Sequence, residues 1–152
     1  MSVAGKPYIL DDAATSGLIT EPDSSWTVPW LLADRIARTP DSTLIEHKAA
    51  LGHSWVKVTA HSFGEDVARV ASGLMGMGLK PGQCVSIMAH TSYEWTLLDM
   101  AIARAGLVSV PIYETDSASQ VRWILQDADV RLVITESAAL AELVRGAAAA
   151  RA

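Results

Sequence analysis

Cys84-Val85-Ser86-Ile87-Met88-Ala89 is a nearly unbroken apolar run, too short for a helix of its own, as expected of a strand covered on both faces. Strands of that kind belong to parallel sheets, which need helical connections to bring the chain back. The next residues supply one. Thr91-Ser92-Tyr93-Glu94 has the form of a capping box, with the Thr91 hydroxyl and the Glu94 carboxylate set to satisfy the first free amides. Trp95, Leu98, Ile102 and Ala105 then continue one apolar face to Gly106. Leu107 to Val110 reads as a second strand. Ser117-Ala118-Ser119-Gln120 repeats the capping pattern ahead of a stripe at Val121, Ile124, Leu125 and Ala128, and Val130 to Thr135 reads as a third strand. Ser137 is placed to cap a last helix running into the Ala-rich end. Strand, helix, strand, helix, strand, helix with short connections is the order of right-handed crossovers, and it predicts a partial, doubly wound, mostly parallel α/β sheet with flanking helices.

Upstream of that unit the period changes. Phe63, Val67, Val70, Leu74 and Met77 step by four, three, four and three, one stripe of an amphipathic helix that Gly78-Leu79-Lys80-Pro81-Gly82 ends. Thr43 to His47 and Ser54 to Val58 are brief β-capable runs joined by Ala49-Ala50-Leu51-Gly52-His53, which predicts a β-hairpin ahead of the sheet. Thr27 is placed to cap a short helix with Pro29 near its start, stopped by Thr39-Pro40-Asp41. Residues 1–25 mix Gly, Pro, Asp, Ser and Thr without a sustained period and read as an extended or disordered lead-in to a single domain over residues 26–152.

Bulk composition narrows the function. A chain of 152 residues can bury roughly 68–70% of its unfolded surface. With 50% hydrophobic residues and 19% charged ones, against a usual charged share of about 25%, it is more apolar than an average free-standing domain, which points to a missing partner surface. A net charge of −5 gives no electrostatic reason to expect a nucleic acid or an anionic membrane as partner. One cysteine, Cys84, excludes an intrachain disulfide and any multi-thiolate metal site, consistent with a cytoplasmic setting. No apolar run approaches the roughly 20 residues a transmembrane helix needs.

Residues that carry chemistry are scarce. Gly73, Gly76, Gly78 and Lys80 have the composition of a phosphate loop but the wrong polarity: phosphate loops open a helix, where amides are free, and these close one, where carbonyls are. No G-x-S-x-G sets up a nucleophilic serine, and Cys84 lies inside a strand with no activating base. His47, His53 and His61 read as surface or structural histidines, and the four histidines show no metal-ligand spacing, so no metal site is expected. Trp95 and Trp123 fall among helical stripes and read as core; Trp26, Trp30 and Trp55 are placed to pack the N-terminal segment onto the domain. His90 differs because it directly follows the first parallel strand, at the carboxyl end where open α/β sheets hold their ligands. The same position argument singles out Tyr113, Glu114 and Thr115 after the second strand as candidates for a pocket or interface.

Glu94-Trp95, Asp99-Met100-Ala101-Ile102, Ala105-Gly106 and Val110-Pro111-Ile112-Tyr113-Glu114-Thr115 are similar to AMP-forming acyl-CoA synthetases of the long-chain fatty-acid type. The resemblance extends upstream through Leu31-Leu32 to Pro40-Asp41 and Phe63 through Val67-Ala68 and Gly73-Leu74 to Gly78, and downstream through Gln120-Val121-Arg122-Trp123-Ile124-Leu125, so it covers about Trp26 to Glu136. His90 and Asp116 are minor departures. The resemblance implies the N-terminal subdomain of an adenylate-forming enzyme, whose full-length members use ATP, Mg and CoA to turn a fatty acid into its CoA thioester through an acyl-adenylate. The family's phosphate loop, ribose-binding Asp and C-terminal-domain Lys have no counterpart here, so no catalytic and no cofactor-binding residue is assigned in this chain. The expectation is therefore a fragment resembling a long-chain fatty-acid–CoA ligase, inactive alone, with the remainder of the synthetase or another synthetase chain as its partner. The alternative is a non-catalytic interaction module or decoy subunit. A flavodoxin-like binder of its own ligand is disfavoured, because no phosphate-binding loop follows the first parallel strand.

Overall fold

The computed structural model describes residues 27–49 and 54–149. The lead-in assigned to residues 1–25, Trp26, His53, most of the hairpin turn and the last three residues lie outside the described residues.

Helix α1, Val28–Arg38, starts where the Thr27 hydroxyl accepts the Trp30 amide at 3.3 Å. Strands β1, Thr43–Lys48, and β2, Trp55–Thr59, form the expected antiparallel pair, with Glu46 opposite Lys57 and Lys48 opposite Trp55. Helix α2, Ala60–Gly76, is capped by Thr59. Its buried stripe is Ala60, Phe63, Val67, Ala71 and Leu74. Met77 does not extend that stripe: it is the C-cap, beyond the last helical turn, and lies exposed. Gly78 then takes φ +88, a left-handed conformation that closes helices and strains residues with a Cβ.

Strand β3, Cys84–Met88, is the middle of a three-stranded parallel sheet of order β4-β3-β5. Strand β4, Val108–Ile112, pairs with one side of it and β5, Leu132–Thr135, with the other. Between them run α3, Tyr93–Arg104, and α4, Ala118–Asp127; α5, Ala138–Ala149, follows β5. The cap of α3 is Ser92 rather than Thr91, because the first helical residue is Tyr93 and the Ser92 hydroxyl accepts the Trp95 amide at 3.1 Å. At α4 the capping box forms as expected, with the Gln120 side chain accepting the Ser117 amide and Ser117 Oγ accepting the Gln120 amide. Ser137 Oγ accepts the Leu140 amide at the start of α5.

Alternation along β3 divides the core. Val85 and Ile87 point to the face covered by α1, α2, α3 and the hairpin, where Phe63, Val67, Leu74, Ala101 and Ile102 are buried with them. Met88 points to the other face, joined by Ile112, Val121, Leu125 and Ala147 beneath α4 and α5. Helices on both faces make the sheet doubly wound. Trp95 is half-buried against the first core, but Trp123 is 65% exposed, so its assignment to the core is corrected. Among the described residues no helix is long and apolar enough to cross a membrane.

Candidate functional site

The three parallel strands all end at one edge of the sheet, and each delivers a polar side chain there. His90 follows β3 after one intervening residue, Glu114 lies two residues beyond β4, and Glu136 directly follows β5. Since β3 is central, the imidazole stands between two carboxylates. His90 donates its backbone N–H to Glu136 Oε2 at 2.8 Å, its ring Nδ1 lies 2.5 Å from Glu136 Oε1, and its Nε2 lies 3.3 Å from Glu114 Oε1. The helices that follow β3 and β5 lie on opposite faces of the sheet, so this pairing sits at its topological switch point.

The side-chain bond to Glu136 holds the imidazole pKa above its ordinary value, helped by the charge of Glu114. Glu136 is held below the ordinary carboxylate value, first by the His90 backbone N–H and then by its ring. The ring nevertheless stands 67% in solvent, so the arrangement is an exposed clamp across the strand ends.

Two depressions flank the clamp and share Ala89 and Trp95. The larger, about 660 Å³, is walled by His90, Trp95, Pro111, Ile112, Tyr113 and Glu114. The smaller, about 380 Å³, is walled by Ser92, Glu94, Trp95, Leu98, Ile134 and Glu136. Of the four residues singled out from sequence, His90 and Glu114 are brought together and Tyr113 borders the same cleft, its ring 76% exposed. Thr115 is exposed and forms no part of either wall. Tyr113 also shapes the turn, where its N–H donates to Asp116 Oδ2 at 3.2 Å. Glu136 and Trp95 complete the site and were not anticipated as part of it. The rule that selected His90 and Glu114, a polar residue just past the carboxyl end of a parallel strand, selects Glu136 equally well when applied to β5.

Does this edge fit a nucleotide? A phosphate group needs open backbone amides or cations, and the side chains that the strand ends bring together here are one imidazole and two carboxylates, with four of the nearby amides already bonded. The Trp95 amide bonds to Ser92, the His90 amide to Glu136, the Gln120 amide to Ser117 and the Leu140 amide to Ser137. Two carboxylates around one imidazole also repel a triphosphate. Gly73, Gly76 and Gly78 sit at the carbonyl end of α2, and exposed Lys80 bonds by its amide to Gln83, so no cradle arises there either. Among the described residues no group of three His, Cys, Asp or Glu could hold a metal ion. The described residues do not fit ATP and Mg.

An α/β sheet wound on both sides, with a cleft at its switch point, defines the class of the fold: a doubly wound α/β domain. The chain belongs to the AMP-binding enzyme family, whose pattern matches residues 32–152. It is 38% identical over 104 residues to a long-chain-fatty-acid–CoA ligase, FadD15, of Mycobacterium bovis, a match that takes in 68% of this chain and 17% of that one. The chain thus spans about a sixth of the length of that ligase. It superimposes on the inhibitor-bound N-terminal domain of FACL13 from Mycobacterium tuberculosis with a TM-score of 0.68 and 24% identity, over 82% of this chain and 30% of that one. An uncharacterized protein of M. tuberculosis is 33% identical over 79 residues, 52% of this chain and 45% of that protein.

Proposed function

We propose that this chain is the incomplete N-terminal subdomain of a long-chain fatty-acid–CoA ligase and serves as scaffold, with no activity of its own. One observation carries the reading. The segment aligns with the ligase over 104 residues, yet the side chains at its ligand-bearing edge are His90 between Glu114 and Glu136, and its glycine cluster presents carbonyls. The complete enzyme would consume ATP, fatty acid and CoA and release acyl-CoA, AMP and pyrophosphate, with Mg on the phosphates. Forming the acyl-adenylate requires donors and cations positioned around the triphosphate, and those groups supply most of the transition-state stabilisation. Here they come from polypeptide beyond the matched region. The cleft at His90, Trp95 and Tyr113 is then a wall of the ligase's working face, in a cytoplasmic protein.

ATP–pyrophosphate exchange with a long-chain fatty acid tests the reading. The purified 152-residue chain is expected to give no exchange above background, and fatty-acid-dependent exchange by the chain alone would overturn it.

A second reading has one observation in its favour. The uncharacterized M. tuberculosis relative is short enough that 79 matched residues make up 45% of it, which suits a stand-alone, non-catalytic module or a decoy that docks on a full-length synthetase. Binding to an intact ligase that keeps its own N-terminal segment would favour this reading. Binding only to a ligase lacking that segment favours the scaffold.

A further inference from the structure

The two ends of the parallel sheet carry opposite chemistry. At the carboxyl end His90 stands between Glu114 and Glu136. At the amino end of β5, against the last turns of α4 and α5, lies a cavity of about 200 Å³ whose polar wall is Arg122, Gln126 and Arg131. Its apolar wall includes Leu125, Val133 and Val144. Arg122 and Gln126 are four residues apart on α4, which sets them one turn apart on the same side of the helix.

Arg122 is the group here that lacks a counterpart. Its Nε is shut off from solvent without a hydrogen-bond partner. Asp129, beyond the end of α4, and Glu142, on α5, pair instead with Arg131, at 3.1 Å, and with Arg145. A buried guanidinium nitrogen is costly to leave unbonded, and an anionic oxygen satisfies it best.

Two effects oppose an anion at this corner, and both are weakened. Helix carboxyl ends repel negative charge, but the last carbonyls of α4 are committed: Ile124 O accepts the Ala128 amide and Leu125 O the Val130 amide, both at 3.1 Å. The net charge of −5 is spread over the whole chain, and salt screens charges farther away than about 8 Å.

Size and lining then select the anion. Drug-sized sites run to roughly 300–1,000 Å³. At about 200 Å³ this cavity suits a fragment rather than a nucleotide or a long acyl chain. A bare phosphate would satisfy the guanidinium and leave the apolar wall unfilled.

We propose that this cavity is a binding site for a small monocarboxylate with a compact apolar body, its carboxylate on Arg122 Nε and its body against Leu125, Val133 and Val144. Arg131 adds positive charge at the rim, and the Gln126 side chain offers a further N–H. The site lies at the far end of β5 from the His90 cleft and stands whether or not the scaffold reading does.

An NMR titration of the 152-residue chain with hexanoate tests it. Saturable shifts are expected at the Arg122 Nε–H and at the Val133 and Val144 amides, with a dissociation constant of about 1 mM, the range a ligand of so few atoms can reach. Hexanol, which lacks the charge, and inorganic phosphate, which lacks the apolar body, should each bind at least about tenfold more weakly. Arg122→Gln should weaken hexanoate by about tenfold or more, the size of one lost charge-assisted bond, with the native circular dichroism retained. Ala148→Phe, a substitution at an exposed position on the cavity wall, should block binding to a similar extent. The proposal is overturned if hexanoate gives no saturable shift, if hexanol or phosphate binds as tightly, or if the shifts fall at His90, Glu114 and Glu136 instead. Undiminished binding by either variant also overturns it, and if Arg122→Gln loses the native spectrum, Ala148→Phe decides.

Discussion

The two faces of the parallel sheet are built from alternate residues of the same strand, yet they are not equally sealed. Beneath α1, α2 and α3, Val85 and Ile87 meet Phe63, Val67, Leu74 and Ile102 in a continuous core, and Phe63 packs edge-on to Tyr93 at 6.0 Å. Beneath α4 and α5, Met88 and Ser86 meet a shorter set, Val121, Leu125, Ile112 and Ala147, with an open cavity at the β5 side and Trp123 standing in solvent above. A parallel sheet ordinarily has both faces covered. The poorer face is also the one that holds the cavity between α4, α5 and β5, so the looser packing is concentrated at one corner of the molecule.

Truncating each core measures that contrast. Phe63, 2% exposed, loses about 3–5 kcal/mol on replacement by Ala, because a large cavity opens in a layer that cannot collapse. Leu125→Ala should cost about 2 kcal/mol, the low end for such a change, since its site already borders a cavity. Urea unfolding of the two variants checks the order, and equal losses would erase the distinction between the faces.

The same comparison predicts a gain. Ser86 is fully buried on the second face and its hydroxyl has no partner. Removing an unsatisfied buried group recovers part of its desolvation penalty, so Ser86→Ala should raise stability by about 1 kcal/mol. A loss of stability on urea unfolding would show that the hydroxyl is satisfied after all.

How much of this was legible beforehand depends on the range of the interaction. Local signals were readable: the stripe from Phe63 to Leu74, the Ser117–Gln120 capping box, the three short apolar strands. Even locally, the capping-box pattern beginning at Thr91 places the cap one residue early, since Ser92 offers a second hydroxyl and only the onset of α3 at Tyr93 selects it. Trp123, expected in the core as part of a helical stripe, lies two residues from both Val121 and Leu125, which on a helix is the opposite side, so the stripe that buries them exposes the indole. The site was half legible. His90 and Glu114 follow from the carboxyl-end rule alone, but the contact of His90 with Glu136 joins residues 46 apart and exists only because β5 lies beside β3, and strand order is not written in the hydrophobic pattern.

That clamp yields the smallest effect and the most specific one. His90 has a raised pKa in the fold, so its contribution to stability is complete below the ordinary value of 6.5 and is lost as the pH climbs through the raised one. Glu136 has a lowered pKa, so its contribution is complete above the ordinary value of 4.5 and is lost as the pH falls through the lowered one. The pair is therefore strongest between about pH 4.5 and 6.5, where the imidazolium and the carboxylate are both charged. Because the ring is largely in solvent, the proper reading is the titration itself rather than a melting curve. In an NMR titration the His90 ring should change protonation above pH 6.5, and Glu136→Gln should move that midpoint down. A smaller downward move is expected for Glu114→Gln, since Glu114 acts on the ring through its charge while Glu136 also holds it by hydrogen bonds. Reversal of that order would mean that the β4 side of the switch point, and not the β5 side, fixes the imidazole.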